Sequence, residues 1–154
     1  MYSGIRAAIT AAILLIAGPA TAQEWSARGE GASLEVGSLV DGAFAGLLFR
    51  CAGGGQVETV LTHNGAVFDR ERTHTIVLSV DGVATMLPAR AISGSRPGDD
   101  DFVHVGPAAE TASLFDALSR GSALEVSAPS GRYRLGLGGS SNAIAAFRAS
   151  CPAA

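Results

Sequence analysis

Two thiols, three imidazoles, a run of three carboxylates and an outward pair of guanidinium groups are the side chains of this sequence that could do chemistry. The thiols are Cys51 and Cys151, the only cysteines among 154 residues. The imidazoles are His63, His74 and His104. Three histidines can make a zinc site, but these spacings are long and match no short ligand motif. His63 and His74 flank one turn region. All three read as surface or strand-end side chains, and neither a metal nor a cofactor is expected. Asp99, Asp100 and Asp101 lack the alternating ligand spacing of a calcium loop and read as a solvated acidic loop. Glu58, Asp69, Arg70, Glu71 and Arg72 read as the solvent faces and turn of one hairpin rather than a catalytic carboxylate pair.

Other catalytic chemistries find little support. The chain contains no lysine, so Schiff-base, phosphate-loop lysine and Ser-Lys chemistry are excluded. No G-x-S-x-G elbow exists among the many serines. "GLGGSS" sits between a predicted strand and a predicted helix, as a phosphate loop would. A dinucleotide fold would need more chain after it, so it reads as a tight turn with a serine cap. The formal net charge is −3 and the arginines are scattered, which argues against nucleic acid.

The cysteines take their meaning from the N-terminus. Met1 to Ala22 has Arg6, the apolar run "AAITAAILLIAG" and "ATA" before Gln23. This is the order of a secretory signal peptide, too short and Ala-rich for a permanent span. We expect residues 1–22 to be the signal and 23–154 a single β-rich domain, exported to the periplasm without a membrane anchor. In an oxidising compartment two cysteines pair by default. Cys51 lies in phase with Leu47 and Phe49 on a strand, and Cys151 in phase with Ile144 and Phe147 on a helix. A bond between them would tie that helix to the sheet. It would close a loop of about 100 residues, for which chain entropy gives roughly 4–5 kcal/mol.

The elements that must position these groups follow from periodicity. From Trp25 to Val105 the pattern alternates like strands: "ASLEVGSL", "GLLFRC", "QVETVLTH", "TIVLSVDG", "VATMLPARAI" and "FVHV". Asn64-Gly65 and Asp81-Gly82 are turn signals. Pro88 marks an edge position or a bulge. Glu110 to Arg120 is helical, with Leu114, Phe115 and Leu118 on one face and Gly121 as its C′ residue. "ALEVSA" and "RYRLGL" flank Pro129-Ser130-Gly131 as a hairpin. Ser140 or Ser141 caps a last helix. The fold expected is mainly β, or β-rich α+β: an antiparallel sandwich or curled sheet with two short helices late in the chain. Arg132 and Arg134 then face outward together, with Glu125 across from them, and are the candidate partner-binding residues.

"LLFRCAGG", "LFDALSRGSALEV", "YRLGLGGSSNAIAAF" and the closing "ASC" together resemble a group of small periplasmic bacterial proteins, the VasI-like family associated with type VI secretion. The invasion-associated locus B family is a more distant likeness. The resemblance covers about the last two thirds of the chain after the signal. It places Cys51 at the end of a strand in "RC", Cys151 at the end of a short final helix, and Gly139 to Ser140 in the turn before that helix. It implies a non-enzymatic periplasmic domain that binds a protein partner in the cell envelope. The alternative is an inhibitor of a cell-wall hydrolase, resembling the periplasmic lysozyme inhibitors.

Cleavage is expected after Ala22, because Ala20 and Ala22 supply the small residues the peptidase requires. Intact-mass measurement on periplasmic protein checks this. A mass that retains the apolar run would mean that the segment is an anchor.

Overall fold

Short turns with forced backbone geometry set the strand pairings. A computed structural model describes residues 24–151, so the signal predicted over residues 1–22 lies outside it. Strands β2 (Glu35–Val40) and β3 (Ala43–Gly53) meet at Asp41-Gly42, with φ of 50° and 76°. Strands β5 (Thr73–Val80) and β6 (Val83–Ser93) meet at Asp81-Gly82, with φ of 47° and 89°. Two successive positive φ values make type I′ turns, whose twist matches that of the strands they join. Asp81 also reaches beyond its own turn. Its carboxylate accepts the Ser122 hydroxyl at 2.7 Å and the Ser122 amide at 3.0 Å. The Ser122 hydroxyl bond is the largest cause that holds the Asp81 carboxyl below its ordinary range.

The remaining strands and α-helices are β1 (Glu24–Arg28), β4 (Gln56–Leu61), β7 (Asp100–Pro107), α1 (Ala108–Arg120), β8 (Ala123–Ala128), β9 (Gly131–Gly136) and α2 (Ser140–Ser150). The strands form one antiparallel sheet in the order β1-β2-β3-β4-β7-β6-β5-β8-β9. Its two ends curl towards each other. The Trp25 backbone N–H donates to Gly138 O at 2.8 Å, and the Trp25 indole N–H to Gly136 O at 2.9 Å. The curled sheet with two late helices is therefore the observed architecture. The hairpin expected around Asn64-Gly65 is not. β4 pairs with β3 and β7, while β5 pairs with β6 and β8, so residues 62–72 form a crossover between non-adjacent strands.

Every strand contributes alternate residues to one inner face. That face holds Val36, Leu47, Phe49, Val57, Leu61, Ile76, Leu78, Phe102, Leu124 and Val126, all fully buried. The two helices close over it. Phe49 meets Phe115 of α1 edge-on at 4.9 Å, and Phe115 meets Phe147 of α2 at 5.5 Å. Such edge contacts add to the area term because the ring edge is positive and the ring face negative. Arg148 joins the helices outside this cluster, donating to Asp116 Oδ1 at 2.7 Å and to Ala112 O at 3.0 Å. Cys51 and Cys151 are disulfide-bonded, with Cα atoms 5.7 Å apart, and fasten the end of α2 to β3.

Two local expectations are corrected. Gly121 is not a left-handed C′ residue: its φ is −75°. Glycine is required there by space, since a Cβ would lie 2.3 Å from Val80 Cγ1. Neither Ser140 nor Ser141 caps α2. The N-cap is Gly139 at φ 81°, where a Cβ would also lie 2.6 Å from Trp25 O. Ser140 is buried just inside the helix. Its hydroxyl lies 2.7 Å from Leu118 O and 2.8 Å from Leu137 O, so one proton serves a carbonyl left over in the last turn of α1.

Phe147 is 1% exposed and touches both aromatic neighbours. Phe147→Ala is expected to cost about 3–5 kcal/mol through lost transfer energy and a cavity. Denaturant unfolding checks it; an unchanged midpoint would contradict the packing of α2 described above.

Candidate functional site

The sheet has a seam, and two prolines account for it. The hairpin makes Val80↔Val83 a hydrogen-bonded pair, and the alternation of antiparallel ladders then sets the rest. Pro88 opposes Thr75 at a non-hydrogen-bonded position, so the donor that it lacks is on its other side, towards β7. The pairing of β6 with β7 runs only from Ser93↔Asp100 to Arg90↔Val103. The next rungs would join Pro88 to Val105 and Met86 to Pro107. Each contains a proline whose missing N–H faces the seam. The ladder stops there.

His104 occupies the seam. Its Nδ1 lies 2.8 Å from Pro88 O. A carbonyl can only accept, so Nδ1 carries the proton and takes the place of the missing rung. His104 is 6% exposed, and its Nε2 has no hydrogen-bond partner among the described residues. That nitrogen and Glu110 Oε2 both border the space left by Gly106, at 2.7 and 2.9 Å from where a Cβ would stand.

Outside the seam lies a cleft of about 410 Å³. Pro88, Arg90, Ile92, Val103 and Val105 line it, all outward members of their strands. Among the described residues, three of the exposed large apolar side chains are outward members of β6 and β7: Met86, Ile92 and Val105. Met86 is 73% exposed. Leu48 and Val60, paired on the same outer side, are buried and lead across the sheet to Val103. The Arg90 guanidinium stands in this apolar setting with no ion pair or hydrogen bond among the described residues.

The outward arginines of the last hairpin share this face. Arg132 and Arg134 are exposed, as expected, and Glu125 opposes Arg134. Arg132 Nε donates to Ser127 Oγ at 3.0 Å. Following the register across four strands gives two rows. Arg132, Ser127, Val77 and Met86 form one; Arg134, Glu125, Ser79 and Ala84 form the other. Three interstrand spacings separate the arginines from β6, about 14 Å. Sequence reasoning found the arginines and Pro88 but missed Met86, Arg90 and the seam. A second proline in "FVHVGP" was the available signal.

The histidines do not form one site. His74 and His104 point inward on strands separated by β6, with Ala89 opposite His74. His74 Nε2 donates to Asp69 O at 2.7 Å, and its ring packs edge-on to Phe102 at 5.2 Å. His63 sits at φ 60° in the crossover, its backbone N–H bonded to the Asp101 carboxylate. No group of three potential metal ligands occurs among the described residues.

The acidic run is not a solvated loop. Asp100 is 1% exposed. Its carboxylate accepts Arg70 Nη2 at 2.6 Å and the Phe68 amide at 2.9 Å. Asp99 accepts the Gly65 amide at 2.8 Å, and Asn64 Nδ2 donates to Asp100 O at 2.8 Å. The pair therefore ties the crossover of residues 62–72 to the start of β7. The Arg70 hydrogen bond, then the Phe68 amide, hold Asp100 below the ordinary carboxylate range. Asp101 moves the other way, pushed up by burial and by the neighbouring Asp99 charge.

No family model matches the chain, and neither does any curated protein. Among solved structures, the chain is similar to invasion associated protein B from Bartonella henselae. The TM-score is 0.50 at 15% identity, over 80% of this chain and 96% of that one. The likeness is one of fold. It agrees with the more distant of the two family resemblances in the sequence.

Asp100 has a depressed carboxyl, so its contribution to stability is present above the unfolded value of about 3.9 and is lost as pH falls through the folded value. Asp100→Asn is expected to make residues 62–72 the first site of limited proteolysis at neutral pH. In the parent protein that sensitivity should appear only on acidification below about pH 4. Equal resistance of both proteins at pH 7 would contradict the tie.

Proposed function

We propose that this chain is an exported, non-catalytic periplasmic domain that binds a protein partner in the cell envelope. It does so with the outward face of β9, β8, β5 and β6. The observation that carries this reading is the row that places Arg132 in register with Met86. It joins an arginine margin to an exposed apolar margin on one face. Arginine and methionine are both enriched where proteins meet. A further support is the half-buried disulfide, which suits an oxidising compartment. The resemblance to the VasI-like family points to the same class of role. A hydrolase inhibitor would instead present a protruding loop, whereas the crossover at residues 62–72 is held down by Asp99 and Asp100.

Photoreactive residues placed at Met86 and at Arg132 in the cell should yield the same cross-linked envelope protein. One at Glu30, in the exposed turn after β1, should not. Replacing Arg132 and Arg134 together with Ala should shift stability by less than about 0.5 kcal/mol while lowering the adduct from Met86. An adduct from Glu30 alone, or an undiminished adduct in the double variant, would contradict the proposed face.

A further inference from the structure

We propose that the seam between β6 and β7 is a docking site for an extended peptide segment that pairs with the open half of β6 and places a carboxylate on Arg90. The inference rests on the binding reading above and gives its partner a chemistry.

Three observations define the occupant. The first is the open ladder. By the alternation that begins at Val80↔Val83, the N–H and C=O groups of Ala84 and Met86 point away from β5. Neither residue has a further partner among the described residues. An unpaired strand edge is a template for another strand, and peptide recognition by strand addition uses such edges. Ala84 and Met86 offer the free backbone groups, and the distance from Ala84 to Arg90, about 20 Å, lets a peptide of roughly six residues that pairs there reach the Arg90 guanidinium. The second is the apolar setting. Pro88, Ile92, Val103 and Val105 line the outer cleft, and Met86 stands exposed beside the open edge. Alternate side chains of an added strand would lie on this surface. The third is charge. Among the described residues Arg90 is the one cation lining the cleft and its guanidinium is unpaired, whereas Arg50 is held by Glu35 and Glu58 and Arg70 by Asp100. A guanidinium in apolar surroundings selects a carboxylate, to which it can donate two parallel hydrogen bonds.

Pro88 and Pro107 suit the same purpose. Native sheets protect open edges, and proline is one device for doing so. Here the prolines end the ladder between β6 and β7, while Ala84 and Met86 retain their donors. The edge is left open over a short stretch next to a charged anchor.

The test uses the oxidised protein and a labelled hexapeptide of alternating valine and threonine with a free terminal carboxylate. Binding is followed by fluorescence anisotropy. Amidating the terminus, or Arg90→Gln, should each weaken binding about tenfold or more, as expected for loss of a charged hydrogen bond. Met86→Pro removes only the outward donor, because Met86 opposes Val77 at a non-hydrogen-bonded position. It should abolish binding without lowering the melting temperature. If that variant fails to fold, amide exchange on the parent protein decides: the Ala84 and Met86 amides should slow when the peptide is added. Absence of binding up to about 1 mM, or equal affinity for all these forms, would overturn the proposal. A concentration-dependent dimer dissolved by Arg90→Gln would also overturn it, by assigning the edge to a second copy of the chain. Cross-links that persist at Met86 and Arg132 without peptide binding would leave the broader reading standing and remove strand addition alone.

Discussion

Two absent hydrogen-bond donors shape the part of this molecule most suited to function. A nine-stranded antiparallel sheet would ordinarily continue its ladder along the full length of each strand. Pro88 and Pro107 remove consecutive donors on facing sides of one ladder, so the pairing of β6 with β7 ends at Arg90↔Val103. The Pro88 carbonyl left behind is answered by His104, whose imidazole is thereby buried in the gap with a fixed tautomer. The consequences are an outer cleft, a short open edge and an unpaired guanidinium within a few residues of one another.

The inner side of the sheet follows the opposite logic. Its side chains are large and apolar, and both helices are locked over it. The Phe49, Phe115 and Phe147 rings bring three distant parts of the chain into one cluster. Ser140 links the last turn of α1 to the first turn of α2, Arg148 links their outer sides, and the Cys51–Cys151 bond fixes the last residue of this arrangement. Rigidity on the inner face lets the outer face present a fixed surface, which lowers the ordering cost of binding.

Much of this was legible in the residues. Strict alternation in "GLLFRC" placed Leu47, Phe49 and Cys51 on the core side, and the helical stripe of Ile144, Phe147 and Cys151 placed the second thiol. Together they gave the disulfide. In the sequence Pro88 marks an edge position or a bulge, whereas β6 is an interior strand and Pro88 lies where its ladder with β7 has ended. The order of strands was not legible, because alternation says which face a residue takes and not which strand lies beside it. With β7 between β4 and β6, and β8 beside β5, the Arg132–Met86 row exists only through three long-range registers. Asp100 was misread for a related reason. Three consecutive aspartates in a glycine-containing stretch resemble a solvated loop, and only the fold brings Arg70 and the Phe68 amide to the middle one. Gly121 was assigned to a cap by its place after a helix, whereas its neighbour Val80, 41 residues earlier, is what excludes a side chain.

The central claim is that the β6 ladder ends at Arg90 and leaves the preceding half of the strand open towards β7. Amide hydrogen exchange of the unliganded oxidised protein tests it residue by residue. The account predicts slow exchange at Arg90 and Ile92, which pair with β7, and fast exchange at Ala84 and Met86 within the same strand. Protection of Ala84 and Met86 equal to that of Arg90 and Ile92 would mean that the ladder is closed, and would contradict both the seam and the binding edge built upon it.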